Sequence, residues 1–289
     1  MKFGLRYCNT GRYVQPEKAV ELLQAAEDAG FESAWTVEHT IVPAGYVSRY
    51  PYSEDGKMAD GRVDFPIPDP LIWLAYVAAQ TSTIKLGTAI LILPQHNPVT
   101  VAKQIASLDV MSNARVLLGV GVGWLREEFE VLNSDFESRG ARTDEYIRAM
   151  RHLWRDDAPT FDGEYVRFSE AYCRPQPVNG TVPVIIGGHA PAAARRAGRL
   201  GDGFFPARDL SEELVALMRQ TAVDAGRDPE AIEITTGSPV DMDDLAGMAS
   251  RGISRVVVPV TPMAGLASSI RGPEDLAGWK DVIDRFRDA

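Results

Sequence analysis

The sequence predicts a (β/α)8 TIM barrel of the α/β class, occupying residues 1–289 as one domain. Eight short apolar runs rich in β-branched and aromatic residues alternate with eight longer stretches of helical period, the pattern of parallel βα units. The length agrees, since 289 residues hold the roughly 250 that such a barrel needs, plus insertions. No linker, low-complexity tract or repeat longer than the βα unit divides the chain.

The elements follow in order. Phe3–Tyr7 is the first strand, and the helix Pro16–Ala29 after it opens on proline and stops at Gly30. Ala19, Leu22, Leu23 and Ala26 fall on one face of that helix. Ser33–Val37 is the second strand, followed after a long connection by the helix Pro70–Gln80. Strand Ile84–Leu91 leads to helix Val99–Met111, with Asn97 as cap before Pro98. Strand Arg115–Val120 precedes helix Thr143–Trp154, strand Val182–Ile186 precedes Pro191–Leu200, and strand Gly203–Pro206 precedes Glu212–Ala225. The last units are Ile232–Thr236 with Asp243–Arg251, and Arg255–Val260 with Pro273–Arg287.

Insertions are expected after strands 2 and 4. Glu38–Asp69 carries Tyr46, Tyr50, Tyr52 and Phe65, and Pro159–Thr181 contains FDGEYVRFSEAYC, which reads as a strand pair. Aromatic loops of this length serve as lids over a site or as plain covers for the barrel end.

A net charge of −10 with no massed basic residues argues against a nucleic-acid partner. No apolar run approaches a membrane span, and the N-terminal MKFGLRYCNTG lacks the apolar core of a signal peptide, so a cytoplasmic location is expected. Cys8 and Cys173 lie far apart and read as reduced thiols. His39, His96, His152 and His189 fall in separate units with no HExxH or paired cysteines, so no metal site is expected. There is also no G-x-S-x-G elbow or Walker sequence.

Barrel chemistry comes from the C-terminal ends of the strands. Glu38-His39 places a carboxylate and an imidazole at one such end, pointing to opposite sides, with the histidine suited to acid-base work near neutrality. GVGVGW, Gly119–Trp124, lacks the third glycine of a dinucleotide fingerprint. Its glycines instead clear side chains from the barrel mouth so that a flat ligand or another backbone can come close, with Trp124 as pocket wall or core filling. PVIIGGHAPAAARRAG, Pro183–Gly198, turns from strand into helix at Gly187-Gly188. It reads either as an anion site at a helix N-terminus or as a simple tight turn.

Three longer stretches carry a resemblance. They are A-x-x-x-A-G-F-E-S-A-W-x-x-E-H at Ala25–His39, L-G-T-A-I-L-I-L-P-Q-H-N-P-V-T-V-A-K-Q at Leu86–Gln104, and R-V-L-L-G-V-G-V-G-W-L-R-E-E-F at Arg115–Phe129, continued by P-V-I-I-G-G and A-x-R-R-A-G-R-L-G-D-G-F-F-P to Pro206. With these the chain resembles the luciferase-like monooxygenase superfamily, in particular its coenzyme F420-dependent oxidoreductases. The resemblance implies a barrel with a flavin or deazaflavin at the C-terminal ends of the strands and a small-molecule substrate.

Carried onto this chain, it implies that His39 donates a proton or stabilises developing charge, with Glu38 orienting it or the loop. Ala89-Ile90 matches the position of a non-proline cis peptide that backs the cofactor ring. Gly121, Val122, Gly123 and Trp124 would line ring and chain, and Gly187, Gly188 and His189 would hold the cofactor phosphate. Family members usually form homodimers through the early helices. The implied function is hydride transfer between F420 and a small organic substrate. The alternatives are an FMN-dependent monooxygenase using O2, or a non-catalytic flavin- or deazaflavin-binding protein. Two departures count against sugar-phosphate oxidation: Trp124 stands where the sugar-phosphate dehydrogenases have an acid, and Pro43 where they have a tryptophan.

Overall fold

The computed structural model describes residues 1–206, 210–239, 241–262, 268 and 270–286, with Asp60 described by its backbone alone. Eight parallel strands pair in chain order: β1 (Lys2–Arg6), β2 (Ser33–Thr36), β3 (Lys85–Thr88), β4 (Val116–Gly121), β5 (Val184–Gly187), β6 (Gly203–Phe205), β7 (Glu233–Gly237) and β8 (Arg255–Pro259). β8 returns to β1, Lys2 beside Arg255 and Arg6 beside Pro259, and the sheet closes into a (β/α)8 barrel.

Strand alternation decides what lies inside. On β1, Phe3 and Leu5 join the main apolar core under the helices, while Gly4 and Arg6 face the barrel axis. Trp35, Leu117, Ile185, Phe205 and Val257 fill that axis as a separate small cluster, with Trp35 edge-on to Phe205 at 5.8 Å. At the N-terminal end of the strands Arg255 closes the barrel, bonding Glu32 at 2.8 and 2.9 Å and Glu233 at 3.1 Å. The opposite end of the axis is left open.

The helices form the outer layer. α1 (Pro16–Ala29) ends where Gly30 takes a φ of 89°, the left-handed region that glycine enters freely. Asp69 caps α2 (Pro70–Ala78), and Asn97 caps α3 (Pro98–Met111) by accepting from the Val99 and Thr100 N–H groups. The short helix α4 (Arg126–Val131) was not anticipated, because six residues are too few to show a helical period. α5 (Arg139–Arg155) starts four residues before the expected Thr143, its first turn being too polar to register as an apolar stripe. α6 (Pro191–Leu200) and α7 (Glu212–Asp224) follow the expected bounds closely.

Two expected helices open as 3-10 turns. Asp243–Arg251 resolves into a turn Met242–Asp244, capped by Asp241, and α8 (Leu245–Ser250). Pro273–Arg287 resolves into a turn Pro273–Trp279 and α9 (Lys280–Phe286), with Arg287 outside the described residues. The expected strand Ile84–Leu91 is broken after Thr88 by a cis peptide between Ala89 and Ile90, and resumes as Leu91–Ile92 beside β4.

The second insertion forms the expected hairpin, Phe161–Asp162 against Arg167–Phe168. It lies along the outside of α5, where Glu145 accepts from the N–H groups of Glu164, Tyr165 and Val166 at 2.9, 2.7 and 2.8 Å. Among the described residues no helix is long and apolar enough to cross a membrane.

Candidate active site

The open end of the barrel holds a cavity of about 1330 Å³ built from the ends of all eight strands and the first insertion. All eleven residues singled out in the sequence, from Glu38 and His39 to the Gly187–His189 turn, line it. Nothing from the second insertion does, so of the two aromatic loops only Glu38–Asp69 covers this space.

Glu38 and His39 diverge as neighbours on an extended chain must. Glu38 turns toward the broken third strand, where one carboxylate oxygen accepts from the Ile92 N–H and the other meets His96 Nε2 at 2.8 Å. Burial pushes the His96 pKa down, but the hydrogen bond and charge of Glu38, helped by Asp69 and Glu128, outweigh it and raise the value. Glu38 therefore positions the Ala89–Ile92 segment and leaves His39 to another partner.

That partner is Glu128 on α4. Its side chain is fully buried, and Oε2 lies 2.9 Å from His39 Nδ1. Oε1 accepts from the Thr40 and Ile41 N–H groups at 2.7 and 3.2 Å. Burial pushes its pKa up, and the hydrogen bond and charge of His39, with Gln95 and the Ile41 N–H as lesser contributions, more than reverse it, so Glu128 is held as a carboxylate. A carboxylate at Nδ1 keeps a proton on that nitrogen and leaves Nε2 to work in the cavity.

The adjacent Glu127 ties down the insertion further along, accepting from the Val47 and Ser48 N–H groups at 2.7 and 3.0 Å. Desolvation there is overcome by Ser48 and these N–H groups, which hold the Glu127 pKa at about 2. Trp124, just before α4, completes the join: its indole makes edge contacts with His39 at 5.9 Å, Tyr46 at 5.5 Å and Tyr50 at 5.1 Å. It is a wall of the cavity, half-buried among the insertion's rings.

The barrel-mouth glycines accommodate the break in the third strand. A Cβ on Gly119 would lie 1.8 Å from the Thr88 carbonyl oxygen. One on Gly121 would lie 2.6 Å from Ile90 Cδ1, and one on Gly187 would lie 2.3 Å from Ile90 Cγ2. The cis-bonded Ile90 thus crosses the barrel mouth into the space these strands leave free, and forms an apolar shelf in the cavity.

Beyond the shelf the lining becomes cationic. Gly188, at a φ of 133°, turns the chain from β5 into α6, and Ala190 to Ala193 form the helix entry. His189 Nδ1 and Arg139 Nε are buried there without a hydrogen-bond partner. Arg139 lies against the Phe136 ring at 3.7 Å, and Arg196 is paired with Asp144. Arg139 Nη1 already donates to the Phe136 carbonyl at 2.8 Å, but a positive helix terminus, an unsatisfied imidazole nitrogen and an unsatisfied guanidinium Nε suit a phosphate.

Three residues escaped the sequence reading, Arg139 among them because it opens α5 in a turn too polar to show an apolar stripe. Glu128 sits in the R-E-E-F stretch but on a helix too short to recognise. Arg6 is a charge on the last inward-facing position of β1, and that alternation was the available signal.

The model of the luciferase-like monooxygenase family matches residues 3–279. An uncharacterized protein of Mycobacterium tuberculosis is 33% identical over 262 residues, covering 89% of this chain and 91% of that one. The F420-dependent glucose-6-phosphate dehydrogenase of Mycolicibacterium smegmatis is 30% identical over 289 residues, covering 96% of this chain and 80% of that one. The structure of an F420-dependent secondary alcohol dehydrogenase with an F420-acetone adduct superposes with a TM-score of 0.76 over 99% of both chains; at 19% identity this speaks for the fold.

Proposed function

Because the chain belongs to the luciferase-like monooxygenase family, whose model spans nearly all of it, we propose that this enzyme is an F420-dependent oxidoreductase acting on a small organic substrate. The observation that carries the reading is His39, clamped at Nδ1 by a buried carboxylate and presented to a cavity with an apolar shelf at one side and an anion site at the other.

The residues fit a deazaflavin carrying a phosphate. The α6 entry, His189 and Arg139 would hold the phosphate, the Ile90 shelf would back the ring, and Gly123 and Trp124 would line its flank. The volume exceeds the ~300–1,000 Å³ of a pocket for one drug-sized ligand, leaving room for a substrate beside the cofactor. When bound, F420 supplies hydride chemistry at a ring carbon, and the protein positions and tunes it.

The protein's own part centres on His39. Protonated, it donates from Nε2 to an oxygen of the substrate, and Glu128 steadies the imidazolium at the far nitrogen. In the reverse direction the same nitrogen accepts the proton. The Trp124 ring beside it, backed by Tyr46 and Tyr50, keeps water from the reacting atoms. Two relatives at about 30% identity bear the name F420-dependent glucose-6-phosphate dehydrogenase; this supports the cofactor, whereas Trp124, where the resemblance implies an acid in such dehydrogenases, speaks for a different substrate.

The test is His39→Ala with F420 titration and turnover measured side by side. The reading expects F420 affinity within about threefold of wild type and turnover down by about a hundredfold or more, the range for a lost general acid. Equal losses in both would make His39 a binding residue. The competing FMN-dependent monooxygenase predicts oxygen uptake with reduced FMN and none of the F420 binding.

A further inference from the structure

The charge lining the cavity is one-sided. Among the described residues around it stand Arg6, Arg49, Arg139 and Arg196, with a single carboxylate, Glu38, already bonded to Ile92 and His96. This occurs in a chain with a net charge of −10. Arg139 and Arg196 flank the α6 entry, and Arg49 is at the exposed rim. Arg6 is at the other side, on β1, across the barrel from β5.

Arg6 is 8% exposed, so its guanidinium is largely withdrawn from bulk water. No ion pair or hydrogen bond of its side chain occurs among the described residues, and its Nε is buried without a partner. The guanidinium rests beside the Tyr7 ring, 5.0 Å from the ring centre, and over Gly237, where an added Cβ would lie 3.6 Å from its Nη2. Pro259, the neighbour of Arg6 on β8, and the backbone of Gly237 lie beside it, and Val37, Phe205, Ser238 and Ser268 also line the cavity, with the Ser268 hydroxyl spent on the Pro259 carbonyl. Contrast Arg255 at the closed end of the same barrel, which has two carboxylates and a threonine hydroxyl. A cation so withdrawn, with no counter-ion among the described residues, is unfavourable until an anion arrives.

We infer that Arg6 is the recognition site for a carboxylate on the substrate, and that the enzyme acts on small organic acids whose apolar part lies against Val37, Phe205 and Pro259. A carboxylate, with two oxygens in one plane, matches the fork of a single guanidinium. A phosphate calls for the several donors found instead at the α6 entry. β1 and β2 are neighbours, with Arg6 in register with Trp35, so an acid held on Arg6 extends toward the strand end that carries His39. The inference rests on the proposed function for the identity of the second occupant of the cavity, but not for the binding itself.

The test uses trans-cinnamate and its neutral counterpart trans-cinnamamide, titrated calorimetrically into F420-loaded protein. Wild type is expected to bind the acid about ten- to a hundredfold more tightly than the amide, as a charge-assisted pair gives. Arg6→Gln should reduce this preference to within about twofold while F420 affinity stays within about threefold, and Arg6→Lys should keep part of the preference. Equal binding of acid and amide by wild type, binding of neither, or a preference that survives Arg6→Gln overturns the proposal.

Loss of F420 affinity in Arg6→Gln overturns it too, by assigning the guanidinium to the cofactor. If wild type takes up no F420, the cofactor reading falls, and the same probe pair titrated into the apo-protein still decides the role of Arg6. A second readout guards against misfolding. In the apo-protein Arg6→Met should raise the Tm and abolish the rise that cinnamate gives in wild type, whereas a fall in Tm would show Arg6 to be structural.

Discussion

Glu128 offers the sharpest test of how the site is built. Its carboxylate is fully buried, with one oxygen on His39 Nδ1 and the other on two backbone N–H groups. Glu128→Gln keeps one acceptor oxygen for Thr40 and Ile41 but turns an NH2 donor toward Nδ1. The imidazole must then accept there and carry its proton on Nε2, the opposite tautomer. The loss is one charge-assisted hydrogen bond, about 1.5–3 kcal/mol. Glu128→Ala also takes the acceptor from the part-buried Thr40 and Ile41 N–H groups, at about 0.5–1.5 kcal/mol each, the net value of a hydrogen bond that water can partly replace.

The expected order of stability is therefore wild type, Glu128→Gln, Glu128→Ala, with the Ala variant about 1–3 kcal/mol below the Gln variant by urea denaturation. Nitrogen NMR of the His39 ring should show the Nδ1–H tautomer in wild type and the Nε2–H tautomer in Glu128→Gln. Identical tautomers in the two proteins, or a Gln variant as unstable as the Ala variant, would refute the assignment of Glu128 as the group that orients His39.

Further expectations follow from the same contacts. Gly187→Ala drives a Cβ onto Ile90 Cγ2 and should cost about 1–3 kcal/mol by overpacking, and Ile90→Ala in the same chain should recover most of it; a double-mutant cycle with no coupling would contradict the shelf. Gly119→Ala meets the Thr88 carbonyl oxygen and should fail to accumulate as folded protein in a soluble expression test, with no rescue from Ile90→Ala. The raised pKa of His96 means that its contact with Glu38 contributes fully below pH 6.5 and is lost as pH rises through the raised value, so the stability advantage of wild type over His96→Asn should shrink on going alkaline. An advantage constant with pH, or growing above 6.5, would contradict that contact.

The barrel was legible because its determinants are local. β-branched runs, proline at helix starts and Gly30 at a helix end fix where elements begin and stop, and strand alternation then places the site residues at one end. What escaped notice depends on contacts distant in sequence. Glu128 acquires its role from a histidine 89 positions away. The division of labour between Glu38 and His39 rests on the return of the chain at Ile92 and His96, as no local pattern could show. The glycines of GVGVGW left a choice between a flat ligand and another backbone, and the packing of Thr88 and Ile90 against them supplies the answer. The two insertions looked alike in composition; Glu145, on the flank of α5, anchors the second away from the cavity.

The central claim is that this site is built for a deazaflavin with a phosphate. The most direct measurement is titration of the apo-protein with F420 and, separately, with FMN, followed by ligand fluorescence and repeated in Arg139→Gln. The account predicts micromolar or tighter binding of F420, markedly weaker binding of FMN, and a loss of F420 affinity of about tenfold in Arg139→Gln, the share of one charge-assisted contact. Micromolar binding of FMN with none of F420 would contradict it.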